Sequence, residues 1–578
     1  MSSYTLGINA YHGDSSACIY KGTELIAATE EERIVRVKHW TGLPIKAIDF
    51  CLKEANITLK EVDVITVSRD PKAKIGEKII QTLKKGISLK AVKDRGANSL
   101  KITKIKSDIA EALGFKASEI KAKLYYAEHH RSHMASSFFV SPFEESAILS
   151  IDGMGDFSST MRGTGKGNKI KVIDSVSYPH SIGIFYTAMT QYLGFPHYGD
   201  EYKVMGLSPY GKATMVDQLE DVLILLDNGL FELNGRYFKH FTEGVAMDWE
   251  GGSPSIDSIY SEALVEKFGP VRQKGEELTQ YHMDLAASVQ RYTEKVIFHI
   301  AEDLHKRTGL KNLCITGGVA QNSVANGKIL ANTSFEKLYV PPAGHDAGTS
   351  VGSALYYIHQ EQNTTRPAFK HQAYTGAQFT NEEIKTFLEG KAGIIAYHEK
   401  EDALIEAVAE LLHHGKVIGW FQGRAEFGPR ALGNRSIIVD PSRSDAKELL
   451  NSKIKRRESF RPFAPSILKE AVKDYFEVVD DVPFMEKVYD IKSEKHEVIP
   501  AVTHVNGTGR LQTVEEKDNP RYYRLIKAFS QKSGIPILLN TSFNENEPIV
   551  NTPGHAYDCF ARTDMDVLVL ENYVITRG

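Results

Sequence analysis

The segment SAILSIDGMGDFSSTMRGTGKGNKIKVIDS, residues 146–175, decides the fold. Ser146 to Ile151 is an apolar run of strand length, and Asp152-Gly153 reads as a turn. Phe157 to Arg162 returns, Gly165-Lys166-Gly167 turns again, and Lys169 to Ser175 completes a triple hairpin. The same layout stands at the N-terminus. There Tyr4 to Asn9, Ser16 to Tyr20 and Leu25 to Thr29 read as strands, with Lys21-Gly22 as a turn. Helical stretches follow each set. A repeated supersecondary unit of this kind predicts an α/β fold with two related lobes facing a cleft.

Residues 311–316 (KNLCIT) read as another buried strand, ending in Gly317-Gly318. The lysine-rich stretch 70–120 shows helical spacing in Ile75, Ile79, Ile80 and Leu83 and reads as a solvated helical insertion. Residues 361–371 (EQNTTRPAFKH) are polar and contain a proline, which predicts a linker. A new alternation follows, with strands at Val417 to Phe421 and Ile535 to Leu539. A domain boundary near residue 365 divides the chain into 1–365 and 366–578.

A length of 578 residues allows roughly two to four domains with large cores. Hydrophobic content of 42% and charged content of 25% are ordinary for a soluble globular protein. The net charge of -4 gives no polycation to attract nucleic acid or a membrane. Cys18, Cys51, Cys314 and Cys559 are far apart and form no CxxC, which argues against a disulfide scaffold or a thiolate zinc site. MSSYTLGINAYHGDSS lacks the basic start and apolar core of a signal peptide. No apolar run approaches the roughly 20 residues that span a bilayer. A cytoplasmic protein is the expectation.

His129-His130-Arg131-Ser132-His133 sets two histidines at i and i+4, on one face of a helix that starts after the strand Leu124 to Ala127. The pattern is not HExxH, so a metalloprotease reading loses its general base. Asp152 ends an apolar strand, where open α/β sheets place functional groups. Asp346, in Gly344-His345-Asp346-Ala347-Gly348, precedes a predicted helix. His129, His133, Asp152 and Asp346 together suit a divalent metal such as zinc, iron or nickel. Taken singly, each has a plainer explanation as a surface pair, a turn or a helix cap.

Glycine-rich turns suggest nucleotides. Thr316-Gly317-Gly318-Val319-Ala320-Gln321-Asn322 follows a strand and opens a helix, where backbone N–H groups favour anions. Gly423 to Ser436 (GRAEFGPRALGNRS) carries three arginines in one loop. Lys453, Lys455, Arg456, Arg457, Arg461 and Arg510 follow. Arginine forks match phosphate oxygens, so this concentration points to a phosphate-rich small ligand. The arginines sit among Gly, Pro and Phe rather than along an exposed basic helix, which speaks against RNA. Asn540 and Ser542, in NTSFN at a strand end, add neutral hydrogen-bonding groups.

The strings HHRSH, SIDG, GDEYKVMGLSPYG, TGGVAQN, GHDAGTSVG, GRAEFGPRALGNRSI and FRPFAP run in order from residue 129 to 465, after LGINAYHGDSSA at the start. In these the chain resembles the O-carbamoyltransferases of the NodU/CmcH type, the family of nodulation-factor, cephalosporin and aminoglycoside carbamoyltransferases. The resemblance covers essentially the whole chain. It implies an actin/hexokinase/Hsp70-like duplicated N-terminal domain, similar to the transferase domain of the tRNA threonylcarbamoylation machinery. It also implies a YrdC-like α/β C-terminal domain. The second domain would form carbamoyl-AMP from ATP, with Mg, and carbamoyl phosphate, and the first would transfer the carbamoyl group to a small-molecule hydroxyl.

Carried over by residue, the resemblance implies iron or zinc on His129, His133, Asp152 and Asp346. His12 would be the general base near the acceptor hydroxyl, and Lys38 would contact phosphate or acceptor. Gly317, Gly318 and Asn322 would line the nucleotide in the first domain. Arg430, Lys455, Arg461, Arg510, Asn540 and Ser542 would bind ATP and carbamoyl phosphate in the second. Gly199 to Lys203 is a candidate for the acceptor side. Sugars, antibiotics, alkaloid toxins and lipo-oligosaccharides all suit as acceptors, and the oligomeric state stays open. A kinase-like phosphotransferase releasing ADP, a threonylcarbamoyl transferase acting on tRNA, and a non-catalytic nucleotide-binding module are the alternatives.

Overall fold

A computed structural model of the protein describes residues 3–79, 102–248, 251–370 and 373–577. The chain forms two compact units. One holds Met1–Asn322 and Ile329–Lys370, the other Ser323–Lys328 and His371–Gly578.

The first unit contains the same sheet twice. β1 (Tyr4–Asn9), β2 (Ser16–Lys21), β3 (Glu24–Glu30), β4 (Val64–Val67) and β5 (Lys123–Tyr126) lie in the order β3-β2-β1-β4-β5. The two hairpin pairs are antiparallel, while β1–β4 and β4–β5 are parallel. β6 (Glu145–Gly155), β7 (Ser158–Lys166), β8 (Lys169–Ser177), β9 (Asn312–Thr316) and β10 (Lys337–Tyr339) repeat it in the order β8-β7-β6-β9-β10, with the same strand senses. This is the duplicated architecture of the actin/hexokinase type.

The central strands β1, β4 and β9 are buried over almost their whole length because both faces are covered. Helix α1 (His129–Phe138) is buried on all sides except at Arg131. Helix α2 (Gly348–Leu355) is buried throughout, and its serines bond the first sheet, with Ser353 Oγ 2.9 Å from Thr66 Oγ1 and Ser350 Oγ 2.9 Å from Ser16 Oγ. Small residues let the two helices approach closely: a Cβ on Gly352 would lie 1.8 Å from the Ser132 carbonyl oxygen.

Two details depart from the expected pattern. β6 does not end at Ile151 but runs on to Gly155, with an irregular pairing between Ile151 and Gly155. Phe157 falls in the turn, with φ of 76°, rather than in the returning strand. The lysine-rich segment is also not wholly solvated. Ile75 and Ile79 are 48% and 54% exposed, as an insertion predicts, but Ile102, Ile105 and Ile109 enter the core of the first sheet. Ile80 and Leu83 lie outside the described residues.

The second unit is built on one nine-stranded mixed sheet. Its strands are β11 (Ile394–Tyr397), β12 (Ile418–Phe421), β13 (Arg435–Val439), β14 (Ala464–Leu468), β15 (Lys487–Asp490), β16 (Thr508–Val514), β17 (Ile537–Ser542), β18 (Val567–Leu570) and β19 (Tyr573–Thr576). They run in the order β11-β19-β18-β12-β13-β17-β14-β16-β15. Its core gathers Trp420, Phe421, Phe463, Tyr522 and Phe529. Helix α3 (Pro520–Ser533) covers it. The Asn519 side chain accepts from the Tyr522 N–H, proline occupies the first turn, and Gly534 closes the helix in the left-handed region. Among the described residues no helix is long and apolar enough to cross a membrane.

Candidate active site and metal centre

His129 and His133 project from one face of α1, one turn apart, as the spacing requires. Glu128 starts that helix, its carboxylate accepting the Arg131 N–H at 2.9 Å. Asp152 comes from the irregular end of β6, and Asp346 from the turn before α2. The four meet. His129 Nε2 lies 3.1 Å from Asp152 Oδ2, 3.1 Å from His133 Nε2 and 3.6 Å from Asp346 Oδ1. His133 Nε2 lies 3.2 Å from Asp346 Oδ1 and 3.8 Å from Asp152 Oδ2. Both rings are fully buried, and Asp152 and Asp346 are 5% and 4% exposed.

These donors fit a metal ion. Ligand bonds of about 2.0–2.2 Å in a tetrahedral shell put the donor atoms roughly 3.3–3.6 Å apart, and the observed separations scatter around that value. Two imidazole nitrogens and two carboxylates converge on one point, where a single proton cannot satisfy all four. Two imidazoles with two carboxylates suit iron or zinc. Burial and the two carboxylates pull the histidines apart electrostatically. Burial lowers the His129 pKa, whereas hydrogen bonds donated to the Asp152 and Asp346 carboxylates outweigh burial at His133 and lift it to about 9. Burial raises Asp152, but both histidines hold it well below the carboxylate range.

The surroundings hold this set in place. The Gly318 N–H donates to Asp152 Oδ1 at 2.8 Å. Asp156 Oδ2 accepts from the backbone N–H of His129 at 2.9 Å and of Asp70 at 2.7 Å. Gly155 lies against the His129 ring so closely that a Cβ there would sit 2.0 Å from Cδ2. His12 Nδ1 contacts Asp346 Oδ2 at 2.6 Å, and its Nε2 faces the Met154 carbonyl oxygen at 3.2 Å. A carboxylate and a carbonyl both accept, so His12 donates from both nitrogens in this arrangement. Arg69 Nη1 donates to the Tyr11 carbonyl oxygen at 2.8 Å, and its charge reaches Asp156 and Asp346.

A second cluster lies in the other unit. Arg430, Arg457, Arg461 and Arg510 stand close enough to disfavour one another's charge. Burial and these neighbours press Arg510 far below the usual guanidinium range, and burial lowers Arg430 to about 10. Arg457 is tied to Asn451 Oδ1 at 2.7 Å and Arg461 to Glu458 at 3.5 Å. Among the described residues Arg510 Nε is buried without a hydrogen-bond partner. A buried guanidinium of this kind calls for an anion.

The family model for the carbamoyltransferase N-terminus matches residues 4–355, and that for the carbamoyltransferase C-terminus matches residues 409–577. The chain belongs to the carbamoyltransferase family. The nodulation protein NolNO of Sinorhizobium fredii (strain NBRC 101917 / NGR234) is 37% identical over 98% of this chain and 80% of its own length. The nodulation protein NolO of Bradyrhizobium diazoefficiens is 40% identical over 78% of each chain. A solved structure, HypF of T. kodakarensis, aligns with 63% of this chain and 48% of that one at 12% identity and a TM-score of 0.33.

In this carbamoyltransferase the expected site residues separate into two groups. The metal quartet, His12, Gly317 and Gly318 come together in the first unit. The Asn322 amide exchanges hydrogen bonds with Gln290 at 2.8 and 3.1 Å. Lys38 is exposed, its charge felt by His39. In the second unit Lys455 is buried and donates to the Asn544 carbonyl oxygen at 2.7 Å and to Asn544 Oδ1 at 2.6 Å. Asn540 donates to Ala431, Ser466 and Gln512, and Ser542 Oγ to Asn544 Oδ1 at 2.9 Å. Asn540 thus links β17 to β14 and β16, and Lys455 reaches the end of β17.

Asp14, His39, Arg69 and Asp156 escaped the sequence reading. His39 Nδ1 contacts Asp14 Oδ1 at 2.8 Å. Gly199 lies against the same ring, where a Cβ would meet Nε2 at 2.4 Å. The Tyr198 ring meets it edge-on at 5.3 Å. The available signals were the HGD triplet at 12–14 and the histidine after Lys38.

Proposed function

We propose that this carbamoyltransferase makes carbamoyl-AMP from ATP and carbamoyl phosphate at the arginine cluster of its second unit. The carbamoyl group then passes to a hydroxyl of a small-molecule natural product at the His129–His133–Asp152–Asp346 centre. The observation that carries the reading is Arg510 with Arg430, Arg457 and Arg461: a buried guanidinium among like charges, which phosphate oxygens would satisfy. Mg accompanies ATP in this reading, and a cytoplasmic location suits it.

Water releases phosphate from carbamoyl phosphate to leave carbamate, a poor electrophile; a carbamate oxygen then bonds to the α-phosphorus of ATP as pyrophosphate leaves, and the AMP so attached is the leaving group of the transfer. A cation in the quartet, iron or zinc, would add positive charge at a phosphate oxygen. The chain's own residues supply the rest. Gly318 and Asp156 fix the carboxylate and the helix that carry the donors. The burial of all four donors keeps bulk water from a labile acyl-adenylate. Arg69, fixed through the Tyr11 carbonyl, brings a guanidinium beside them.

Two variants test the assignment. With ATP, carbamoyl phosphate and a panel of alcohols, the wild type should release AMP and form carbamate esters, followed by mass spectrometry. Arg510→Ala should lose carbamoyl-AMP synthesis yet transfer from supplied carbamoyl-AMP, and His129→Ala should do the reverse. Release of ADP in place of AMP, or both activities intact in both variants, refutes the reading.

A further inference from the structure

The Asp14–His39 pair is built as a dyad. His39 Nδ1 sits on Asp14 Oδ1 at 2.8 Å, which fixes the ring and leaves Nε2 on its far side. Among the described residues no hydrogen bond reaches that nitrogen, and the side chain is 30% exposed. The backbone holds both residues in the left-handed region, Asp14 at φ of 54° and His39 at 53°, as it does Tyr11 at 55°. Such conformations cost a non-glycine residue of order 1 kcal/mol or more and persist where the surroundings enforce them. Here the enforcement is visible. The Glu32 carboxylate accepts the His39 N–H at 2.8 Å, and Ser15 Oγ donates to the carbonyl oxygens of Gly42 and His12 at 2.9 and 3.2 Å. Gly199 presses on the Nε2 side of the ring, and no side chain would fit there.

The dyad adjoins the metal centre. Asp14 is two residues from His12, whose ring bonds Asp346, and the Asp14 carboxylate feels the charges of His345 and Asp346. His12 faces acceptors from both nitrogens, whereas His39 has one nitrogen open.

We propose that His39 is the catalytic base of the transfer step, with Asp14 as its positioning residue. The inference rests on the two-stage reading above. The acceptor hydroxyl gives its proton to His39 Nε2 as its oxygen bonds to the carbamoyl carbon. The bond from that carbon to the AMP phosphate oxygen breaks, and AMP leaves with the electron pair. The imidazolium is paired with the Asp14 carboxylate until it returns the proton to water.

The charged and titratable groups around the ring are Asp14, Glu32, Lys38, Tyr198 and Glu201. Burial lowers the basicity of His39, but Asp14 and then Glu32 outweigh it and carry the pKa to about 9. The transfer rate should therefore rise with pH towards about 9.

The experiment measures transfer from supplied carbamoyl-AMP to an alcohol that the wild type accepts. His39→Asn, which keeps the tolerated left-handed backbone, should lower kcat by roughly 10²–10⁴-fold and lose the rising limb of the pH profile. Carbamoyl-AMP formation and bound metal should stay at wild-type levels. Asp14→Asn should move the limb to lower pH. A His39→Asn protein with wild-type kcat and an unchanged limb overturns the proposal, as does an Asp14→Asn limb that stays in place. If His39→Asn does not fold, the Asp14→Asn profile decides alone. Failure of the wild type to carbamoylate any alcohol sinks the two-stage reading instead.

Discussion

At the scale of single residues, Asp152 divides its oxygens between two tasks. One accepts the Gly318 N–H and the other faces His129. Asp152→Asn keeps the shape and removes the charge. It should weaken metal binding by at least the roughly 10–100-fold that loss of an outer partner costs, measured as metal retained after dialysis against a chelator. The Asp14–His39 pair makes a separate prediction for stability. A histidine raised from 6.5 to about 9 stabilises the fold fully below about pH 6.5, and the gain is lost as pH rises through about 9. A shift of that size corresponds to about 3 kcal/mol undiscounted. With the His39 side chain 30% exposed, screening leaves about 1–2 kcal/mol. The stability difference between the wild type and His39→Asn in urea should shrink by that amount between pH 6 and pH 10. A difference that does not move with pH speaks against a charged pair.

At the scale of elements, the end of β6 is where composition and context compete. Asp152-Gly153 carries a turn signal, yet the strand continues to Gly155 and resumes pairing with Ser158. The extension lays Gly155 under the His129 ring. Gly155→Ala should displace that ring and lower metal retention with little loss of secondary structure, read by metal content beside circular dichroism. The two triple hairpins were legible because their turns carry glycine and their strands are short and apolar. The i, i+4 histidines were legible because helical spacing alone puts them on one face. The sorting of the arginines was not. Arg424, Arg430 and Arg435 share one loop and one chemistry. Arg435 is buried over the Phe421 ring and bonded to backbone carbonyls, Arg424 donates to Gly376 and Thr375, and only Arg430 joins the cluster. Lys455 shows the same limit: it is buried and donates to Ser542 and Asn544, which its place in a basic run does not disclose. In β12, Trp420 is fully buried and its Nε1–H donates to the Gly433 carbonyl oxygen at 2.9 Å. Trp420→Ala should cost about 3–5 kcal/mol, seen as a lower denaturant midpoint for the second unit.

At the scale of the whole molecule, each unit has a hydrophobic core of its own. The four proposed metal donors all belong to the first. Chelation should therefore lower a thermal transition of the first unit and spare that of the second, read by calorimetry with and without added metal. A single transition that shifts as a whole would show the cores to be coupled. The spread of the donors along the chain has a consequence for biosynthesis. His133 and Asp346 are 213 residues apart. A ribosome that has made both histidines and Asp152 has still to deliver the fourth donor, and the second sheet lacks β9 and β10 until late in the first unit. For the proposed metal, a half-made chain would therefore offer an incomplete cage, and selection of the ion would fall after residue 346 emerges, when the late strands and α2 close the centre.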